Sequence, residues 1–192
     1  MNTKDPQLYL ASASPRRGEL LDQIGIGFQR ISVQVDESVH SDEAPLRYAE
    51  RLARDKANAG HTQHTDLPVL GADTCVVVDG QILGKPESAD HAVTMLQRLC
   101  GRVHHVYSAV ALCHQHCHSC ISVSSVTFRS LSLDECWRYA KTGEPLDKAG
   151  GYAIQGRAAS FTQHIEGSYS GIMGLPLYET SLLLRLARIP VI

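Results

Sequence analysis

Residues 69–86 read VLGADTCVVVDGQILGKP, from Val69 to Pro86. An apolar run from Leu67 to Leu70 breaks at Gly71, and a carboxylate, Asp73, follows at once. A second strand-like run, Thr74 to Val78, leads to Asp79-Gly80, the dipeptide that favours a two-residue hairpin turn. The returning strand ends at Gly84-Lys85-Pro86. A carboxylate on one strand and a lysine at the end of its partner can face a shared cleft. That pairing suits phosphate chemistry, because the acid holds a metal or activates water and the ammonium neutralises phosphate oxygens. Taken alone, the stretch equally describes an ordinary hairpin with two surface charges.

Before it, Gln7 to Ala11 reads as a short strand. Ser12-Ala13-Ser14-Pro15-Arg16-Arg17 follows, with Ser14 suited to cap a helix and Pro15 to its first position. Leu20, Leu21 and Ile24 recur at helical spacing, and Gly25 supplies the stop. A helix N-terminus offers free N–H groups and a positive dipole end to an anion. Ser12, Arg16 and Arg17 therefore make a candidate phosphate cradle, the alternative being a simple capped helix with solvated arginines. Phe28 to Val35 alternates as a strand and ends at Asp36-Glu37. Pro45 opens a second helix with Leu46, Ala49, Leu52, Ala53 and Ala57 on one face and Gly60 beyond its end. Lys56 borders that apolar stripe, where a lysine either points inward or snorkels to solvent.

After the hairpin, Ser88 begins a third helix with Ala92, Leu96, Leu99 and Cys100 buried, and Gly101 ends it. Val103 to Leu112 and Ile121 to Phe128 read as a pair of long strands. Ser132-Leu133-Asp134-Glu135 fits a capping box that opens a helix carrying Trp137 and Ala140. Gly143 to Gly156 is irregular and too rich in glycine to be a plain connector. Ala158 to Ile165 and Tyr169 to Met173 look like strands, and Gly174-Leu175-Pro176 starts a final helix. Strands and helices interleave throughout, so the fold class is α/β.

The bulk numbers bound the function. The chain has 192 residues, enough for one large domain or two small lobes. Apolar residues make up 43% and charged residues 20%, the balance of a soluble globular protein. A net charge of −2 gives no global basic field for nucleic acid or a membrane surface, so any anion site must be built locally. No apolar run approaches the about 20 residues of a membrane span, and the N-terminal stretch lacks a secretory apolar segment. Six cysteines are expected as free thiols in a cytoplasmic protein. Cys113-His114-Gln115-His116-Cys117-His118-Ser119-Cys120 is dense in metal-ligand types. It falls between two strands with no second Cys/His pair, so it is expected to be a loop tip rather than a zinc site.

Positive points (Arg16, Arg17, Lys56, Lys85) and acidic points (Glu37, Asp73) sit near predicted element ends, where open α/β sheets bind ligands. A triphosphate needs cations for its oxygens and carboxylates for the divalent metal that accompanies it.

In their order and spacing these motifs resemble the Maf family of nucleoside triphosphate pyrophosphatases. The likeness rests on Leu10-Ala11-Ser12-Ala13-Ser14-Pro15-Arg16-Arg17, Asp36-Glu37, Arg51-Leu52-Ala53 with Lys56-Ala57, Gly71-Ala72-Asp73-Thr74 and Gly84-Lys85-Pro86. It continues through Asp147-Lys148-Ala149-Gly150, Tyr152-Ala153-Ile154-Gln155-Gly156 and Gly174-Leu175-Pro176. The resemblance implies one domain over residues 1–192, an elongated mixed sheet flanked by helices, and two lobes with a central cleft. It implies cleavage of a nucleoside triphosphate to the monophosphate and pyrophosphate with a divalent metal, Mg²⁺ or Mn²⁺. Asp73 matches the family's proton acceptor, and Glu37, with Asp73, its metal-linked carboxylates. Ser12, Arg17, Lys56 and Lys85 match its phosphate-side residues. Arg16, Thr74 and Gln155 match the specificity positions of the branch that acts on dTTP and UTP, and a glutamine amide offers the donor and acceptor that suit a uracil or thymine edge. A homodimer is compatible with the family. The alternative expectation is a nucleotide-binding regulator of cell division that turns over little.

Overall fold

A computed structural model describes residues 5–191. Its elements alternate between strand and helix. Strand β1 (Leu8–Ala11) leads to α1 (Pro15–Gln23), β2 (Phe28–Ile31), α2 (Pro45–His61), β3 (Val69–Val78) and β4 (Gln81–Leu83). Helix α3 (Ala89–Leu99) precedes β5 (Val103–Cys113), β6 (Cys117–Phe128) and α4 (Leu133–Ala140). Short 3₁₀ turns at Glu144–Asp147, Ala149–Gly151 and Arg157–Phe161 lead to β7 (Thr162–Glu166), α5 (Tyr169–Met173) and α6 (Leu177–Leu186). The strands form a mixed seven-stranded sheet in the order β2-β1-β3-β5-β6-β7, with β4 on β3. The chain divides into two compact units. The first comprises the segments up to Asp73, Ser108–Ser122 and from Gly174 onward; the second comprises Thr74–Tyr107 and Val123–Met173.

In the first unit, β1 pairs in parallel with both β2 and β3. Parallel neighbours require a crossover, and α1 and α2 supply it. All four residues of β1 are buried, and so are nine of the ten residues of β3. Covering both faces of a parallel strand explains why these segments read as near-continuous apolar runs. One row of the register aligns Ile31, Ala11 and Gly71 across the three strands. Gly71 does not break β3, as the sequence suggested. It lets α2 lie directly on the strand: a Cβ there would sit 2.3 Å from the Ala53 carbonyl oxygen and 2.6 Å from the Ala57 nitrogen. Gly60 lies inside α2, which runs on to His61, and not beyond its end; it does the same one turn on from Ala57, where a Cβ would meet Ile31 and Val69 side chains at 2.7 Å.

The second unit has its own core of Val76, Leu96, Leu99, Phe128, Tyr152, Phe161 and their neighbours. The Phe128 ring meets His104, Tyr152 and Phe161 edge-on, with centroids 4.7, 4.8 and 4.9 Å apart, the favoured aromatic geometry. His104 is fully buried, its Nε2 is 2.9 Å from the Tyr152 hydroxyl, and its Nδ1 has no partner. The Asp79-Gly80 turn has φ of 52° and 74°, as a tight hairpin turn demands. The capping box at Ser132 and Glu135 is complete, and Ser88 caps α3 by accepting from His91 N at 3.1 Å.

Three further expectations change. Phe28 to Val35 pairs only as far as Ile31, because the chain turns away to carry Asp36-Glu37. Tyr169–Met173 is a turn of helix, since Gly167 (φ 103°) breaks the extended run and the Ser168 hydroxyl accepts from Gly171 N. The Ala158 to Ile165 run starts as a 3₁₀ turn and becomes strand only at Thr162, where it pairs with Phe128.

Replacing Gly71 by alanine is expected to wedge α2 from β3 and cost about 1–3 kcal/mol; a lower urea midpoint at unchanged slope would register it, and an unchanged midpoint would refute the contact. Burial lowers the His104 pKa to about 4, against an unfolded value near 6.5. The folded chain thus binds fewer protons, so this stability is complete above about pH 6.5 and is lost as pH falls towards 4. His104→Gln should flatten that part of a stability–pH curve, and an unaltered slope would assign the titration to another group.

Candidate active site

The cradle after β1 forms, though not by the expected cap. Ser14 occupies the N-cap position with Pro15 behind it, but its side chain makes no capping bond. The buried Ser12 does this work: its Oγ accepts from Ser14 N at 3.2 Å and from Arg17 Nη1 at 2.9 Å. Arg17 also donates from Nε to the Gly174 carbonyl at 2.8 Å, so one guanidinium ties the start of α1 to the turn before α6. Arg16, beside it in the first helical turn, is half-buried. Burial lowers the Arg17 pKa and the Arg16 charge lowers it further, while Asp73 and Glu37 pull it up. Arg17 therefore lies within the field of both acids.

Those acids meet on a lysine. Asp73 is two residues beyond Gly71 in β3 and shares its face, the face on which α2 packs. Lys56 precedes Ala57, the residue against which Gly71 rests. The geometry therefore delivers Lys56 to Asp73: Nζ lies 2.7 Å from Asp73 Oδ1 and 2.7 Å from Glu37 Oε1. The Lys56 and Asp73 side chains retain 11% and 12% of their accessibility, whereas Glu37 keeps 55%. Two are held in the wall and the third reaches in from a loop. Tyr48 fixes that loop through its hydroxyl on the Glu37 carbonyl at 3.0 Å. Arg51 fixes it through the Asp36 and Ser38 carbonyls and an ion pair to Glu43, which holds the Glu43 carboxyl down at about 2. Two carboxylates already focused on one cationic atom are the hard oxygen donors that Mg²⁺ and Mn²⁺ take, and Mg²⁺ commonly uses one or two such groups with substrate phosphates. The residues fit such an ion.

Ser12, Arg16, Arg17, Glu37, Lys56 and Asp73 thus all belong to the first unit. Thr74, Lys85 and Gln155 belong to the second. Thr74 is half-buried and adjoins Asp73 on the opposite face of β3; Lys85 and Gln155 are exposed. Gly84, next to Lys85, accepts from Gly150 N at 2.9 Å, which seats the glycine-rich segment on the end of β4. Gly150 is at φ 69°, and a Cβ there would meet Val76 at 2.8 Å. Sequence reasoning assigned no role to Lys148, which pairs with Asp147, or to Tyr139 and Glu144, which support the Gln155 turn. The partners of Glu144 lie up to 13 residues away, so no local pattern marks it.

The Cys/His stretch is mostly strand. Only residues 114–116 form the tip, and β6 already begins at Cys117. Cys113 and Cys117 are joined in a disulfide, contrary to the expectation of six free thiols; Cys75, Cys100, Cys120 and Cys136 form no disulfide. Spacing across a tight hairpin brings the two together. Among the described residues no three His, Cys, Asp or Glu side chains gather as a metal group, and no helix is long and apolar enough to cross a membrane.

Residues 7–187 match the family model described as Maf-like protein. The dTTP/UTP pyrophosphatase of Alkalilimnicola ehrlichii is 52% identical over 185 residues, which are 93% of this chain and 92% of that protein. The protein of the same name from Methylococcus capsulatus is 51% identical over 187 residues, 96% and 93% of the two chains. That from Escherichia coli O157:H7 is 50% identical over 175 residues, 90% and 89%. Among solved structures, the Ham1 proteins of Staphylococcus aureus and Coxiella burnetii share the fold, at TM-scores of 0.52 and 0.51 and identities of 13% and 14%. The alignments cover 94% and 95% of this chain, and 97% and 100% of those chains.

Arg17→Lys is expected to lower stability by about 1–2 kcal/mol, because an ammonium cannot reproduce the fork that holds both Ser12 Oγ and the Gly174 carbonyl. Urea denaturation checks this, and a wild-type midpoint would show that the fork is not needed.

Proposed function

This chain belongs to the Maf-like protein family, and from that premise we propose that it is a nucleotide pyrophosphatase that hydrolyses dTTP and UTP to the monophosphate and pyrophosphate. The observation that carries the proposal is Lys56 held between Asp73 and Glu37, beside the Ser12–Arg17 cradle. The names of relatives about half identical over nearly the whole chain supply the substrates.

Asp73 acts as the general base, taking the proton of the water that attacks the α-phosphorus. It is set on a rigid, buried strand, which suits a group that must be held in one geometry. Lys56 and Arg17 neutralise charge as it grows on the departing pyrophosphate. The helix α1 N-terminus and Ser12 add donors to the same side. Lys85 serves a phosphate oxygen. Glu37 and Asp73 would hold a divalent cation, Mg²⁺ or Mn²⁺, whose chemistry there is neutralisation of phosphate charge. Lys56 then has a second role: it balances the two carboxylates when no nucleotide is bound, and triphosphate oxygens compete for its ammonium. Arg16, Thr74 and Gln155 select the nucleotide, Gln155 through an amide able to meet both the N3–H and a carbonyl of uracil or thymine. The reaction belongs in the cytoplasm, where nucleoside triphosphates are made and used.

Asp73→Asn keeps the shape and an oxygen for Lys56 but cannot accept the proton. It is expected to lower kcat for dTTP by about 10²–10⁴-fold with little change in thermal midpoint. Product analysis with Mg²⁺ or Mn²⁺ should show pyrophosphate in the wild type. Turnover of the variant within a few-fold of wild type, or release of orthophosphate instead, would overturn the assignment.

A further inference from the structure

Gln155 is exposed, yet the backbone that carries it is tightly held. Gly156 N donates to the Ala153 carbonyl at 2.9 Å, closing a four-residue turn with Gln155 at its third position. On one side of that turn, Ala153 N donates to the Tyr139 hydroxyl at 3.1 Å. On the other, Arg157 N donates to both oxygens of Glu144, at 3.0 and 3.1 Å. The two supports are joined, because the Tyr139 hydroxyl donates to Glu144 Oε1 at 2.8 Å. Tyr139 is buried, packs edge-on against Phe161 and belongs to the core of this unit. A single relay from α4 thus grips the turn before and after Gln155.

Gly156 supplies an independent sign that this seat is built for the carboxylate. Its φ is −102°, outside the left-handed range that by itself favours glycine. A Cβ there would stand 2.5 Å from Glu144 Oε1 and 2.7 Å from Oε2, so the carboxylate would have to move aside. The Glu144 carboxylate occupies the place that any other residue at 156 would fill.

We propose that Glu144, acting through Tyr139 and the Ala153–Arg157 turn, is a positioning residue for nucleobase selection. It fixes the backbone position from which the Gln155 amide is presented. The inference rests on the assignment of Gln155 to the base. An amide discriminates uracil or thymine from cytosine only if it cannot swing, since reversing it exchanges donor and acceptor. Holding the backbone on both sides of Gln155 fixes where its Cα stands, so the side-chain torsions alone carry the amide to the base. Glu144 touches no reacting group, so its loss should appear in affinity and selectivity rather than in the chemical step.

The test compares full-length Gln155→Ala, Glu144→Ala, Glu144→Gln and Gly156→Ala with the wild type, measuring kcat and KM for dTTP and for dCTP. Glu144→Ala and Gly156→Ala are expected to raise KM for dTTP about tenfold and to shrink the dTTP-over-dCTP preference in kcat/KM about tenfold, with kcat within about twofold. That is the scale of one or two misplaced hydrogen bonds. Glu144→Gln keeps a carbonyl acceptor and should recover most of the preference. If Gln155→Ala erodes the preference while the Glu144 and Gly156 variants retain it, the positioning role is overturned and the base assignment stands. A kcat loss with unchanged KM and preference overturns it as well. A wild-type preference in Gln155→Ala strikes instead at the assignment of Gln155. Should Glu144→Ala not fold, Gly156→Ala and Glu144→Gln give the same decision.

Discussion

The contact between α2 and β3 at Gly71 governs the first unit. A helix normally stands off a sheet by the depth of its side chains. Here the strand offers no Cβ and the helix offers Ala53, Ala57 and Gly60, so backbone approaches backbone. The consequence is chemical. Lys56 comes close enough to bond Asp73 directly, and the pair is largely sealed from solvent. Charged groups so placed are costly unless matched, and Glu37 provides the second counter-charge. A bulkier residue at 71 would push apart the two groups on which the chemistry depends.

The parallel register completes the arrangement. Ile31, Ala11 and Gly71 stand in one row, and the chain continues from that row toward Glu37, Ser12 and Asp73. Glu37, Ser12 and Asp73 are thereby placed beyond the carboxyl end of a parallel strand or on its continuation, the usual place for a ligand in an open α/β sheet. Arg17 shows how such a corner is held: one planar fork spans a serine hydroxyl and a carbonyl 157 residues away in sequence. The arginine is spent partly on structure, which keeps its charge pointing in a fixed direction.

The second unit solves a different problem, that of presenting exposed groups from a firm base. Lys85 and Gln155 are open to solvent, but each adjoins buried backbone. Gly84 is tied to Gly150, and the Gln155 turn is tied to Tyr139 and Glu144. Beneath it, His104 satisfies the buried Tyr152 hydroxyl, at the cost of an orphaned ring nitrogen. Loops that look irregular in sequence are in this way tied down by specific hydrogen bonds.

Much of this was legible in the chain itself. Periodicity, Pro15 and Pro45 at helix starts, Gly25 and Gly101 at helix ends, the Asp79-Gly80 turn and the Ser132 capping box are local signals, and each acts within a few residues. They determined the α/β alternation and all but one of the helices, and the motif order determined the family. Short runs near glycine misled, since Tyr169–Met173 is apolar enough for a strand and only the Ser168 hydroxyl turns it into helix. The tertiary structure alone decided that Gly71 is a seat for a helix rather than a break, that Lys56 binds two acids 17 and 19 residues away, that Cys113 bonds Cys117, and that Glu144 holds the Gln155 turn. The reason is physical: propensity and capping are properties of neighbouring residues, whereas close packing and ion pairing depend on which distant backbones come within a few ångströms.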